Sequence, residues 1–150
     1  MVIDNNLESN EIQIQQGREK WLEAVRAKDL KRLMTFYSPE IVLFDLTPPL
    51  QLLGENSYIK NWKECFEMID GLIDYEIRDQ DITASSDVAF SHSLTRMKAK
   101  TKTGHELKTW FRVTVGFRKI NGKWLITHEH ISVPFDPTSR QASLDLKPEE

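Results

Sequence analysis

The chain has 150 residues, 39% of them hydrophobic and 29% charged, with a formal net charge of −3 and a single cysteine, Cys65. Those values predict one globular domain spanning residues 1–150 and exclude wholesale disorder and an internal disulfide. A mildly acidic chain without a basic stripe predicts no nucleic-acid partner.

The first residues, Met1 to Glu8, contain no basic n-region followed by an apolar stretch, so no secretory leader is read there. No apolar run approaches the roughly 20 residues of a membrane helix. A cytoplasmic protein with no membrane partner is the expectation.

In chain order, residues 1–8 are polar and are expected to fray, leaving an ordered core of about 9–136. Ile12, Ile14, Trp21, Leu22 and Val25 recur near a helical period from Glu8 to Lys28, with Ser9 as a plausible start. Leu30, Leu33, Met34 and Tyr37 predict a short second helix stopped by Pro39. A strand follows from Glu40 to Asp45. A third helix is expected from Asn56 to Ile69, with Tyr58, Ile59, Trp62, Cys65, Phe66 and Ile69 on one face, Gly54 opening it and Gly71 closing it. Four long strands come next: Ile73 to Ala84, Asp87 to Lys100, His105 to Arg118, and Lys123 to Val133. Asn121-Gly122 between the last two is a tight-hairpin signal. The tail from Pro137 to Glu150 is polar and expected to be mobile.

Helices gathered against such strands predict an α+β fold with a curved antiparallel sheet. Along the third long strand, Thr109, Phe111, Val113, Val115 and Phe117 point one way, and Trp110, Arg112, Thr114 and Gly116 the other. If the helices cover the Arg112 side, the Phe111–Val113–Val115 side is left as an apolar face for a homodimer.

Several residues could carry chemistry. Asp45 ends an apolar strand, where a desolvated carboxylate can act as a base, although strand-end aspartates also cap turns. Arg112, beside Thr114, offers a forked donor for a carboxylate or phosphate. His92 lies between Phe90 and Leu94 and reads as a satisfied core group sooner than a catalyst. His128 and His130 share a strand face. Two ligands are too few for zinc, and parity sends Glu129 the other way, so no metal is expected. The pair instead orders the sheet by hydrogen bonding or contacts a partner. Trp21, Trp62, Trp110 and Trp124 read as core or pocket wall. Cys65 reads as a small buried hydrophobe. No glycine-rich phosphate loop, paired-cysteine motif or Gly-x-Ser-x-Gly elbow occurs, and no cofactor is expected.

Three stretches carry a resemblance: Trp21-Leu22-Glu23-Ala24-Val25-Arg26-Ala27-Lys28-Asp29, Ile41-Val42-Leu43-Phe44-Asp45, and Gly122-Lys123-Trp124-Leu125-Ile126-Thr127-His128-Glu129-His130-Ile131-Ser132. From about Glu8 to Phe135 the chain resembles the SnoaL-like and ketosteroid-isomerase-like branch of the nuclear transport factor 2-like superfamily. Its closing segment is similar to the calmodulin-dependent protein kinase association domain. The resemblance implies a cone-shaped, cystatin-like domain with a deep pocket between sheet and helices, and usually a dimer. It implies no single activity, because this fold hosts isomerases, cyclases, dehydratases and binding modules. Asp45 matches the carboxylate that moves the proton in ketosteroid isomerases. Trp21 stands where those enzymes have a tyrosine, and the strand bearing Arg112, Thr114 and Val115 lacks their second, acidic donor. True steroid isomerisation is therefore not expected. His92 matches a basic pocket residue of the kinase domain.

The resulting expectation is a small-molecule pocket protein, an enzyme of proton transfer or dehydration on a small carbonyl or carboxylate ligand. Asp45 would be its base, and Trp21, His92, Trp110, Arg112, Thr114 and His130 its ligand contacts. The alternative is a non-catalytic ligand-binding or assembly domain.

Overall fold

The computed structural model describes residues 5–149. Helix α1 (Asn5–Arg26) is followed by α2 (Leu30–Met34), β1 (Tyr37–Phe44), β2 (Leu52–Leu53) and α3 (Glu55–Met68). Strands β3 (Ile69–Ala84), β4 (Val88–Thr101), β5 (Glu106–Leu107), β6 (Trp110–Ile120) and β7 (Lys123–Ser132) complete the main sheet. Its order is β2-β1-β7-β6-β4-β3, with β5 beside β4, and every pairing is antiparallel except β1 with β7. The α+β expectation holds.

Local differences have local causes. Helix α1 already runs through residues 5–8, which were expected to fray; residues 1–4 of that expectation lie outside the described residues. Its early turns are tied to the sheet, because buried Asn10 donates to the Ser85 carbonyl at 3.1 Å and accepts from Lys119 at 3.1 Å. Hydrophobic periodicity cannot show such polar ties. Helix α2 is capped by Asp29, whose side chain accepts from the Arg32 N–H at 3.0 Å, and it ends before Tyr37. Tyr37 and Pro39 belong to β1. Pro39 is tolerated there because the β1–β7 register shifts between Tyr37 and Val42, leaving it no ladder bond to supply. Gly71 does not close α3; it sits in a β3 irregularity between Asp70 and Asp74. The tail expected to be mobile carries a small hairpin, β8 (Phe135–Asp136) with β9 (Gln141–Ala142).

The final hairpin turns at Asn121 and Gly122, with φ of 51° and 78°. Both angles are left-handed, as a type I′ turn demands. Gly122→Ala should lower the unfolding free energy by about 1 kcal/mol in chemical denaturation, since a Cβ is strained at that angle.

Which face the helices cover reverses the dimer expectation. Val113, Val115 and Phe117 are buried with Ile14, Trp21, Val25, Tyr58 and Phe66 in the core, whereas Arg112 and Thr114 are exposed. The helices can cover one side only, and packing them on the branched and aromatic row removes more apolar area from water. The Phe111–Val113–Val115 row is therefore core and not a dimer interface.

Among the described residues no helix is long and apolar enough to cross a membrane.

Candidate functional site

The inner face of β1, β6 and β7 does not close completely against α1 and α3. A cavity of about 360 Å³ remains, its apolar walls including Leu43, Trp62, Met97, Phe111, Val113 and Ile131. Its polar lining includes Arg18, Asp45, Tyr58, Asn61, Glu64 and Glu129.

Glu129 reaches this cavity because β7 carries an extra residue. Phe117 pairs with Ile126 and Gly116 with His128, so Thr127 has no counterpart on β6. Ile126 points inward, and strict alternation would send His128 and His130 inward as well. The bulge inverts the parity, turning the histidines out and Glu129 in. Glu129 ends 3% exposed beside buried Leu43, its register partner on β1.

A chain of donors converges on that carboxyl. The Tyr58 hydroxyl donates to Glu129 Oε2. Its oxygen lies 3.4 Å from the Tyr37 hydroxyl, which accepts from the Trp21 indole N–H at 2.6 Å. One hydroxyl proton cannot serve two acceptors. With the Tyr58 proton on Glu129, the Tyr37 hydroxyl is the donor toward Tyr58.

Burial raises the proton affinity of Glu129 above the usual carboxylate value, and the charge of Asp45 adds to the rise. The Arg18 guanidinium and the tyrosine hydrogen bonds oppose it. Both Tyr37 and Tyr58 are held well above the ordinary phenol value, first by burial and then by the charge of Glu129. Arg18 is 6% exposed and stacks over Trp21 at 4.3 Å. Cys65 also lines the cavity; burial, then the nearby Asp45 charge, pushes its thiol up to about 11, so it is no thiolate nucleophile at neutral pH.

The family model described as a SnoaL-like domain matches residues 14–136. The chain belongs to the SnoaL-like family. No curated protein matches it. A nuclear transport factor 2-like protein of unknown function from Pseudomonas putida superposes with a TM-score of 0.85, at 34% identity over 94% of this chain and 98% of its own. A ketosteroid isomerase-like protein from Erwinia carotovora atroseptica gives 0.70 at 22% identity, covering 87% and 97%. A candidate scytalone dehydratase from Novosphingobium aromaticivorans gives 0.77 at 11% identity, covering 86% and 87%. The last two likenesses show the fold alone.

Within this SnoaL-like pocket the structure brings together only two of the seven residues expected from sequence to act as base or ligand contacts. Trp21 lines the inner cavity. Asp45 stands on the same lining beyond the end of β1, accepting from Asn61 at 3.0 Å and from the Leu46 N–H at 2.7 Å. It therefore caps its turn and also faces the cavity. The others lie elsewhere, because they occupy the sheet face opposite the helices. Arg112 donates to Ser132 at 3.2 Å on the exposed surface, and Thr114 is exposed between His92 and His130 in the ladder. His92 lies 3.7 Å from Asp81, both outside the cavity. His130 packs edge-on against Phe44 in an outer groove of about 560 Å³ that Asp45 also lines. The guanidinium groups of Arg78 and Arg96 lie 5.9 and 5.5 Å from the Trp110 ring. These five residues lie outside the inner cavity.

The residues missed were Arg18, Tyr37, Tyr58 in its polar role, and Glu129. Arg18 was detectable, since Ile14, Arg18, Trp21 and Val25 form one i, i+4, i+7, i+11 stripe of α1, and a cation there must face the core. Among the described residues no three of His, Cys, Asp and Glu converge to hold a metal ion.

Proposed function

We propose that this SnoaL-like chain is a pocket enzyme of general acid–base chemistry, moving a proton on, or eliminating water from, a small carbonyl compound. Glu129 is the group that carries the proton. The observation supporting this is a fully buried carboxyl on an apolar-walled cavity, its proton affinity raised by burial and moderated by Arg18 and Tyr58. A carboxyl with raised proton affinity can take a proton from carbon and give one to a leaving oxygen. Tyr58 pins Oε2, which fixes the carboxyl's orientation. Asp45 is the second carboxylate of this reading, meeting the outer part of the substrate. At about 360 Å³ the cavity is small for a ligand site, so the substrate is compact and largely apolar around its carbonyl.

A panel of small ketones and β-hydroxycarbonyl compounds tests the reading by NMR in deuterium oxide, which detects both α-proton exchange and elimination. Tyr58→Phe should slow the best substrate by about tenfold or more by loosening Glu129. Rates unchanged in that variant would detach the network from the chemistry.

One observation favours a second reading. Glu129 is sealed and already holds a hydrogen bond, so the network could serve a binding module without turnover. A ligand bound by the parent protein with no exchange or elimination in the panel would decide for it.

The proposal includes a homodimer through the outer sheet face, where Val88 and Phe90 are each 50% exposed. Phe90→Lys should then sediment as a monomer; an unaltered dimer would remove this face from consideration.

A further inference from the structure

A second cavity, of about 280 Å³, shares Arg18 and Trp21 with the first and lies between α1 and the β6–β7 hairpin. The two differ in charge. The first is lined by Asp45, Glu64 and Glu129, whereas the second has no acidic residue in its lining and has Arg18, Lys20 and Lys123. Gln13, Gln16 and Trp124 add further polar hydrogen.

Three donor nitrogens around this cavity have no protein acceptor. Arg18 Nε and Nη1 and the Trp124 indole nitrogen are buried without a partner among the described residues. Leaving such donors unmet costs about 1–3 kcal/mol each, and more when the group is charged. The stacking of Arg18 on Trp21 offsets its charge but satisfies none of its N–H bonds. Lys123 gives one hydrogen to the Thr35 carbonyl at 3.1 Å and keeps two. Arginine, lysine and the indole N–H donate only, so the complement of this lining is a group rich in acceptor oxygens and negative charge.

We infer that the second cavity is a binding site for a small oxyanion, a carboxylate or phosphate group, held by Arg18 and the Trp124 N–H with Lys20 and Lys123 at its edge. This does not depend on the catalytic reading of Glu129. The three nitrogens are closed off from solvent, so uptake requires Arg18 or Trp124 to swing toward the anion. Indole fluorescence therefore reports the event.

The experiment titrates inorganic phosphate and, separately, acetate into the full chain at constant ionic strength set with chloride, followed by calorimetry and tryptophan fluorescence. Saturable binding of either anion is expected, with the fluorescence change lost in Trp124→Phe. The double variant Lys20→Gln, Lys123→Gln alters exposed side chains and should fold normally; it should weaken binding by about fivefold or more. Arg18→Met should abolish it if that variant folds. Glu129→Gln should still bind the anion saturably, which separates this site from the catalytic one. Absence of saturable binding by both anions, or affinity unmoved in the double lysine variant, would overturn the inference.

Discussion

Glu129→Gln should lower α-proton exchange or elimination by about 10²–10⁴-fold while ligand affinity changes little. The amide keeps the size of the carboxyl and can still accept the Tyr58 hydrogen, so the pocket keeps its shape. What it loses is the ability to take up and release a proton. A loss of binding equal to the loss of rate would instead make Glu129 a ligand contact. The same variant has a stability signature. In the folded chain Glu129 holds its proton more tightly than its ordinary value of 4.5. Between that value and the folded one, the native state keeps a proton that the unfolded chain has released. Its contribution is therefore fully present below 4.5 and is lost as pH rises through the folded value. Unfolding curves of parent and variant should diverge across that window, with the glutamine variant the more stable at neutral pH.

Val113→Lys should unfold the protein. The side chain lies in the core against the helices, 6% exposed. A lysine there either buries an unpaired ammonium or forces the sheet from the helices, at a cost of several kcal/mol. That is most of the about 5–15 kcal/mol a domain of this size possesses. Thr114→Lys, one residue along on the exposed face, should change stability by no more than about 0.5 kcal/mol. Circular dichroism and urea denaturation of the pair make the comparison. A folded Val113→Lys protein of parental stability would mean that the helices cover the other face.

Much of the architecture was legible because its signals are local. The apolar face of α3, the strand-rich second half and the Asn121-Gly122 turn each follow from a few neighbouring residues. Tyr37 shows where locality misleads. Leu30, Leu33, Met34 and Tyr37 keep helical spacing, yet α2 stops at Met34 and the chain extends, delivering the Tyr37 hydroxyl to the Trp21 indole. The site was harder to read for the same reason. Arg112 drew attention as a forked donor, but alternation separates two faces without saying which one the helices cover. Glu129 depended on one unmatched residue, Thr127, that inverts the parity of the strand end. Asp45 and Trp21 reach the pocket because each keeps the inward parity of its element, Asp45 after Ile41 and Leu43, and Trp21 with Ile14 and Val25.

The central claim, that the working group of this pocket is a desolvated Glu129, is tested most directly by carboxyl-carbon NMR across a pH titration. Its resonance is assigned by its disappearance in Glu129→Gln. The account predicts a midpoint clearly above 4.5, moving higher still in Tyr58→Phe as a hydrogen bond to the charged form is removed. A midpoint at or below 4.5 would show an ordinary or stabilised carboxylate and contradict it.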